Sequence, residues 1–237
     1  MRHAIVLAGG KGERLRPFTE DRPKPMVEIM GIPILGYQLQ WLAGQGVTDV
    51  VISCGYRHEV IEAYFGQGER LGLRIRYSVE EDPLGRGGAL KLALSQLPPG
   101  VDAVIATNGD IITNLRLGPV VAAHLARRLV ATVVLTPFVS PYGIVDVDAD
   151  DAVTQFVEKP RLPYWINAGV YVLSPSVRDR LPDHGDHETT TFPELARAHG
   201  LGAFRSEAYW RGVDTIKDVT EVGAELQSRL LSFFREG

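Results

Sequence analysis

Cysteine is almost absent from this 237-residue chain: Cys54 stands alone, so no disulfide can form within it. It lies in the apolar run VVISCG, which suits a buried structural thiol better than a nucleophile. No apolar run approaches the ~18 residues of a membrane span. The first residues, MRHAIVLAGGKGERLRP, pass from a short apolar stretch straight into a charged loop, unlike a signal peptide. The cytoplasm is the expected compartment. Positive charge is not in excess either: 25 Lys and Arg against 29 Asp and Glu give a net charge of −4. That balance speaks against nucleic acid or an anionic membrane as partner. Only three tryptophans occur, Trp41, Trp165 and Trp210, and they are expected in the core or a pocket wall rather than on a base-stacking platform.

What remains is an ordinary globular composition, 45% apolar and 23% charged, long enough for one sizeable α/β core. The run HAIVL reads as a fully buried strand, with a glycine-rich loop after it. Pro33 can open a helix with Ile34, Leu35, Leu39 and Leu42 on one side, stopped by Gly44 and Gly46. Strands follow at about residues 50–53, 75–79 and 103–107, with helices at about 58–65 and 88–97, the latter ended by Pro98 and Pro99. This alternation predicts a Rossmann-like α/β fold, a mostly parallel sheet with helices on both faces. Beyond residue 131, strand-like runs at about 131–135, 143–147, 153–157 and 166–173 predict a mixed sheet region on the substrate side. Thr191 with Glu194 reads as a capping box for a helix to about 198. The tail, residues 216–234, is the longest helical pattern, with Val219, Val222, Leu226 and Leu230 on one stripe. That helix suits either packing within the chain or a dimer face, so a homo-oligomer is one of the partners allowed. No repeat or linker interrupts the chain, and a single domain over residues 1–237 is expected.

The segment from Leu7 and Ala8 through Gly9, Gly10 and Gly12 to Arg14 follows the first strand, where open α/β sheets bind ligands. Glycines there let backbone N–H groups approach a ligand closely, and Arg14 suits phosphate oxygens. Two common glycine motifs are excluded. No G-x-x-x-x-G-K-[ST] run exists, and G-x-G-x-x-G fails because Leu15 follows Gly10 and Gly12. The next motif, Arg22-Pro23-Lys24-Pro25-Met26, brackets a lysine with two prolines, as expected if its ammonium must meet a charge.

Taken together, LAGGKGERLRP, RPKPM and the following GIPIL resemble the nucleotidyltransferases that activate sugar 1-phosphates. The resemblance continues through EDPLGRGGAL, NGD (108–110), EKP (158–160), NAG (167–169) and YWRGVDTIKD (209–218), and so spans nearly the whole chain. It implies the nucleotide-diphospho-sugar transferase fold, with a nucleotide-binding part over about residues 1–130 and a sugar-phosphate-binding part after it. It also implies attack by a sugar 1-phosphate oxygen on the α-phosphorus of a nucleoside triphosphate, with pyrophosphate leaving. The attacking phosphate is already ionised near neutral pH, so no general base is needed, and catalysis is positioning plus charge stabilisation. On this resemblance Arg14 grips the leaving phosphates, Lys24 holds the α-phosphate and the attacking phosphate, and Asp110 and Asp214 bind Mg²⁺. Many relatives carry W-x-D-x-G-T where this chain reads Trp210-Arg211-Gly212-Val213-Asp214-Thr215. Asp214 lies two residues beyond the usual aspartate, on the same side of an extended segment. Glu158 would take sugar hydroxyls and Lys159 the sugar phosphate, with Tyr142, Gly143 and Asn167 as further sugar contacts.

Glu80, Pro83 and Gly85 align with the family's base-reading loop, next to Asn108 and Gly109. Thymidylyltransferase relatives carry glutamine where this chain has Glu80. An ionised glutamate only accepts hydrogen bonds, which suits guanine N1–H and N2–H₂ or cytosine N4–H₂. EDPLGRGGAL looks like the mannose- and heptose-1-phosphate guanylyltransferases, with Arg86 in place of their usual threonine. PKPMVEI, CGY and VDTIKD look like the glucose-1-phosphate cytidylyltransferase branch. GTP is slightly favoured, with CTP next. Arg86 either alters the pocket or is solvated. His184, His187 and Glu188 form H-x-x-H-E in a Gly/Asp loop and read as a polar surface loop rather than a zinc site. The alternative function is a non-catalytic sensor of sugar nucleotides, though such proteins usually lose the lysine or the metal aspartate. A domain that works with an acyltransferase is a third reading; the chain leaves no room for the repeat-built domain of longer relatives.

Overall fold

The computed structural model describes residues 2–229. The chain opens with β1 (His3–Leu7), the glycine loop, and a short antiparallel pair, β2 (Glu28–Ile29) and β3 (Ile32–Pro33). Next come α1 (Ile34–Gly44), β4 (Asp49–Cys54), α2 (His58–Phe65), β5 (Arg74–Val79) and α3 (Gly85–Leu94). After them run β6 (Val104–Asn108), β7 (Ile111–Thr113), α4 (Leu117–Arg127) and β8 (Ala131–Val139). A ribbon of β9 (Ile144–Val147) and β10 (Val153–Val157) leads into the long β11 (Arg161–Leu173). The chain then forms α5 (Thr191–Arg197), β12 (Leu201–Arg205), β13 (Trp210–Gly212) and α6 (Ile216–Arg229). Leu230 and Phe234, assigned by periodicity to this last helix, lie outside the described residues.

Seven strands make one sheet in the order β12-β8-β11-β6-β1-β4-β5. The β6-β1-β4-β5 half is parallel, as the alternation of short apolar runs with helices predicts. In the other half β11 runs antiparallel to both β6 and β8, while β12 is parallel to β8. Both faces are covered, and alternate residues of β1 serve different cores. Ala4 and Val6 pack with Leu39, Leu42 and Ile61 on one face. Ile5 packs with Leu90, Ala93 and Tyr171 on the other. A third cluster joins Leu15 of the glycine loop to Ile34, Val213, Val222 and Leu226. Ile34 therefore leaves the stripe expected for α1, which is buried on nearly all sides. Val222 and Leu226 seat α6 within the chain. Cys54 is fully buried, and burial first, then the nearby carboxylates of Glu62 and Glu80, pushes its thiol up to about 12.

Three expectations are corrected. The helix expected at residues 88–97 begins at Gly85, because Gly87 and Gly88 are there for packing rather than as breakers. A Cβ on Gly88 would stand 2.2 Å from the Asp183 carbonyl oxygen, and one on Gly87 2.9 Å from the His187 nitrogen. The segments at 143–147 and 153–157 are not in the main sheet; β9 and β10 pair with each other as an exposed ribbon. Their apolar side chains gave a strand pattern without a core to fill. Thr191 is the first residue inside α5, not its cap, because its hydroxyl is drawn off to donate to the Arg180 carbonyl at 2.9 Å. Glu194 accepts from Arg180 instead.

Candidate functional site

The glycine loop leaves the carboxyl end of β1 and is tied down on both sides. Ala8 N donates to the Ser53 carbonyl at 2.7 Å, and Gly109 N donates to the Leu7 carbonyl at 2.8 Å. Gly12 has φ +69°, and a Cβ there would sit 2.7 Å from Cβ of Lys24. Only glycine fits this backbone and this approach together. Lys24 follows Pro23 into a 3₁₀ turn with Pro25, and its side chain is buried. Its stem is thus held between the loop and the prolines, and its ammonium emerges at one point.

At that point two carboxylates meet it. Lys24 Nζ donates to Asp110 Oδ2 at 2.7 Å and to Asp214 Oδ1 at 2.6 Å, and Arg14 Nη2 donates to the same Asp214 oxygen at 2.7 Å. Asp110 sits in the turn between β6 and β7, which Gln38 of α1 braces by donating to the Asn108 carbonyl at 2.5 Å. Asp214 reaches it because β13 pairs antiparallel with β7, Gly212 opposite Ile111, and Val213 N donates to the Asp110 carbonyl at 2.8 Å. Asp218 anchors the far side, accepting from the backbone N–H groups of Asp214 and Thr215 and from the Thr215 hydroxyl. Burial pushes the Asp218 carboxyl up, but these bonds outweigh it and hold it below its usual range.

Beside the lysine opens a cleft of about 300 Å³. Of the residues expected to hold a nucleotide, Leu7, Gly9, Gly10, Lys24 and Glu80 line it, as do Pro83, Gly85, Asn108 and Gly109, with Asp110 at the same wall. Three others do not. Ala8 is buried with its N–H engaged, Gly12 braces Lys24, and Arg14 stands outside, joined through Asp214. Glu80 Oε2 accepts from Leu84 N at 2.8 Å. Burial raises its pKa above the ordinary value, and the Leu84 N–H only partly offsets this. Ser53, Pro25 and Ala89 also line the cleft and were not assigned to it from sequence; Arg86, left open between pocket and solvent, lines it too. The signal for Ser53 was available: it lies near the carboxyl end of a parallel strand, where ligands bind.

The sugar-side residues stand apart from this cleft: none of Tyr142, Gly143, Glu158, Lys159 or Asn167 lines it. Gly143 and Glu158 do come together, since a Cβ on Gly143 would lie 3.0 Å from Glu158 Oε2. Tyr142, Glu158 and Lys159 are exposed, with Lys159 at φ +47°. Asn167 is already occupied. Its amide N–H groups donate to the Tyr171 hydroxyl at 3.0 Å and to Glu188 Oε1 at 2.8 Å, and its Oδ1 accepts from Gly169 N at 2.8 Å. Gly169 in turn abuts the cleft, for a Cβ on it would lie 2.7 Å from the Asn108 amide nitrogen.

The H-x-x-H-E segment is not simply a polar surface loop. His187 is fully buried against the rings of Tyr171 and Phe192, and burial lowers its pKa. Glu188 binds Tyr171, Asn167 and Arg86. Arg86 is therefore paired, with Asp186 and Glu188, while its side chain stays 43% exposed.

Among the described residues no group of three or more His, Cys, Asp and Glu side chains converges as a protein-only metal cage would. Asp110 and Asp214, facing one ammonium, do supply two hard oxygen donors next to a cleft. That donor set fits an ion such as Mg²⁺, which takes one or two carboxylates and completes its shell with phosphate oxygens and water.

A glycine loop at a strand end, a braced lysine and a carboxylate pair beside a cleft define a phosphate-handling α/β protein. The chain belongs to the nucleotidyl transferase family, which it matches over residues 3–229. It is 37% identical over 232 residues to a mannose-1-phosphate guanylyltransferase of Mycobacterium tuberculosis, covering 94% of this chain and 64% of the relative. It is 39% identical over 224 residues to a mannose-1-phosphate guanyltransferase of Pichia angusta, covering 90% and 61%. The chain thus spans less than two thirds of the length of these curated relatives. Among solved structures, HddC from Yersinia pseudotuberculosis superposes with a TM-score of 0.76 at 29% identity, over 95% of this chain and 100% of that one. HddC has also been solved in complex with GMP-PN, with the same TM-score.

Proposed function

We propose that the chain transfers a nucleotidyl group from GTP to a sugar 1-phosphate, mannose 1-phosphate being the first candidate, and releases pyrophosphate. The observation that carries this reading is the meeting of Lys24, Arg14, Asp110 and Asp214 at the mouth of a cleft walled by the glycine loop. The relatives' names and the neighbour's GMP-PN complex point to guanine; CTP stands second on sequence grounds.

The nucleotide part, about residues 1–130, takes the triphosphate along the glycine loop. Lys24, immobilised at its stem, supplies positive charge to the α-phosphate and to the incoming sugar phosphate. Arg14, exposed and paired with Asp214, exchanges that partner for the leaving phosphates. An oxygen of the sugar phosphate attacks the α-phosphorus, and the bond from it to the bridging oxygen of the β-phosphate breaks. No proton need move, because the nucleophile is already an anion. Mg²⁺, when held by Asp110 and Asp214, would neutralise the charge that the phosphates bring together. For the base, Glu80 has one oxygen spent on Leu84 N–H, leaving the other to accept from the donors on the Watson–Crick edge of guanine. The sugar lies toward the part that starts near residue 131, with Tyr142, Gly143, Glu158, Lys159 and Asn167 around it. The survival of the lysine and of both carboxylates favours catalysis over a sensor.

The test is pyrophosphate release with Mg²⁺ across the common nucleoside triphosphates and a panel of sugar 1-phosphates. Release requiring GTP together with one sugar 1-phosphate is the expected result. Clear GTP binding with no release from any pair would make the chain a sensor.

A further inference from the structure

One half-buried carboxylate outside the lysine cluster, that of Glu188, touches both sides of the proposed reaction. Glu188 Oε2 pairs with Arg86 at 2.8 Å, and Arg86 lines the nucleotide cleft. Glu188 Oε1 accepts from Asn167 at 2.8 Å and from the Tyr171 hydroxyl at 2.6 Å. We propose that Glu188 is a positioning residue that ties the nucleotide cleft to the sugar side, orienting Asn167 through its contact with Arg86. This deepens the transfer reading above and rests on it.

The surrounding structure is built to hold that carboxylate still. Arg86 is also bonded by Asp186, Nε to Oδ2 at 2.9 Å, and Glu188 N donates to Asp186 Oδ1 at 2.9 Å. The loop that carries both acids is clamped to the start of α3: Gly87 N donates to the Gly185 carbonyl and Gly185 N to the Leu84 carbonyl, each at 2.8 Å. Lys91 Nζ holds Asp183 at 2.7 Å. Gly85, Gly87 and Gly88 permit this contact, since each would drive a Cβ into the loop backbone or into Pro182. Tyr171 is fully buried. Asn167 has both amide hydrogens committed to Glu188 and Tyr171 and its carbonyl oxygen bonded by Gly169 N, so Glu188 acts with these partners to fix which way that oxygen faces. That oxygen has one lone pair left beyond the bond from Gly169. Charge-assisted bonds of this kind are directional, and a network fixes orientation better than any one of its pairs.

Three variants separate this from a merely structural role. Glu188→Gln keeps an acceptor for Asn167 but loses the charge that binds Arg86. Tyr171→Phe keeps the ring packing and removes the hydroxyl that donates to Glu188 and accepts from Asn167. Arg86→Ala cuts the nucleotide-side arm. Initial rates with GTP and mannose 1-phosphate are measured alongside calorimetric titration of mannose 1-phosphate alone. Glu188→Gln is expected to raise KM and Kd for the sugar phosphate roughly tenfold, the loss of one charge-assisted bond. KM for GTP should stay within twofold. Arg86→Ala should also weaken sugar phosphate binding, and the double variant should be no worse than the worse single one. A drop in kcat or in Tm with the sugar KM and Kd unchanged, or additive losses in the double variant, would overturn the proposal. If Glu188→Gln fails to fold, the same comparison made with Tyr171→Phe decides. No pyrophosphate from the unaltered chain overturns the transfer reading instead, while the calorimetric arm still decides the coupling.

Discussion

Replacing Lys24 by methionine isolates what its ammonium does. The stem is buried and Met fills a similar volume, so packing around Gly12 and Pro25 is kept. What disappears is the cation at 2.7 Å from Asp110 and 2.6 Å from Asp214. Two consequences follow, of unequal size. The carboxylates lose their partner, but their side chains are 33% and 44% exposed, so water screens them. The stability loss should be about 1 kcal/mol, at the top of the range for an exposed pair. The transition state loses a fixed donor in a partly closed cleft, about 3 kcal/mol, or about 10²-fold to 10³-fold in kcat. The assay is steady-state pyrophosphate release at saturating GTP and mannose 1-phosphate, with Tm measured alongside. A kcat within threefold of the unaltered chain would refute the reasoning. So would a loss confined to KM, which would make Lys24 a ground-state ligand only.

Glu80→Gln tests the base pocket by pH and by substrate. Burial raises the folded pKa of Glu80 above its ordinary value, so folding favours the protonated acid. Its contribution is fully present below the unfolded pKa and is lost as pH rises through the raised folded value. Glutamine removes that penalty, so the ligand-free variant should have the higher Tm at pH 8 and no advantage near pH 4, as read by thermal scans at both. The same variant gains a donor, and its kcat/KM preference should shift from GTP toward UTP or dTTP by about tenfold, the worth of one mismatched hydrogen bond. Gly88→Ala should destabilise by about 3 kcal/mol in urea unfolding, because its Cβ would press on the Asp183 carbonyl at 2.2 Å. An unchanged midpoint would mean that α3 and the 182–188 loop are not packed as described.

Local patterns were readable wherever one segment carried the whole message. The buried strand HAIVL, the glycine loop and the proline-bracketed Lys24 are each contiguous, and each stands where it was expected. Periodicity also found the parallel half of the sheet, since β1, β4 and β6 are buried on both faces and the edge strand β5 alternates. It failed where an apolar alternation has no core behind it, as in the ribbon of β9 and β10, and where glycines inside α3 serve a packing contact 100 residues away. Asp214 was named from a shifted motif. Its partnership with Lys24, across 190 residues, was not readable, because nothing local to either residue records it.

Sequence alone therefore determined the glycine loop, the proline-bracketed lysine and, each from its own short motif, Asp110 and Asp214, because these depend on residue type and short spacing. Tertiary structure alone decided that β11 inserts antiparallel between β6 and β8, since strand order is set by the packing of the whole sheet. It also decided that β13 lies along β7 and so delivers Asp214 to Asp110. Glu188 belongs with these. In sequence it is one acid in a polar loop, and only the docking of that loop on α3 gives its two oxygens different partners.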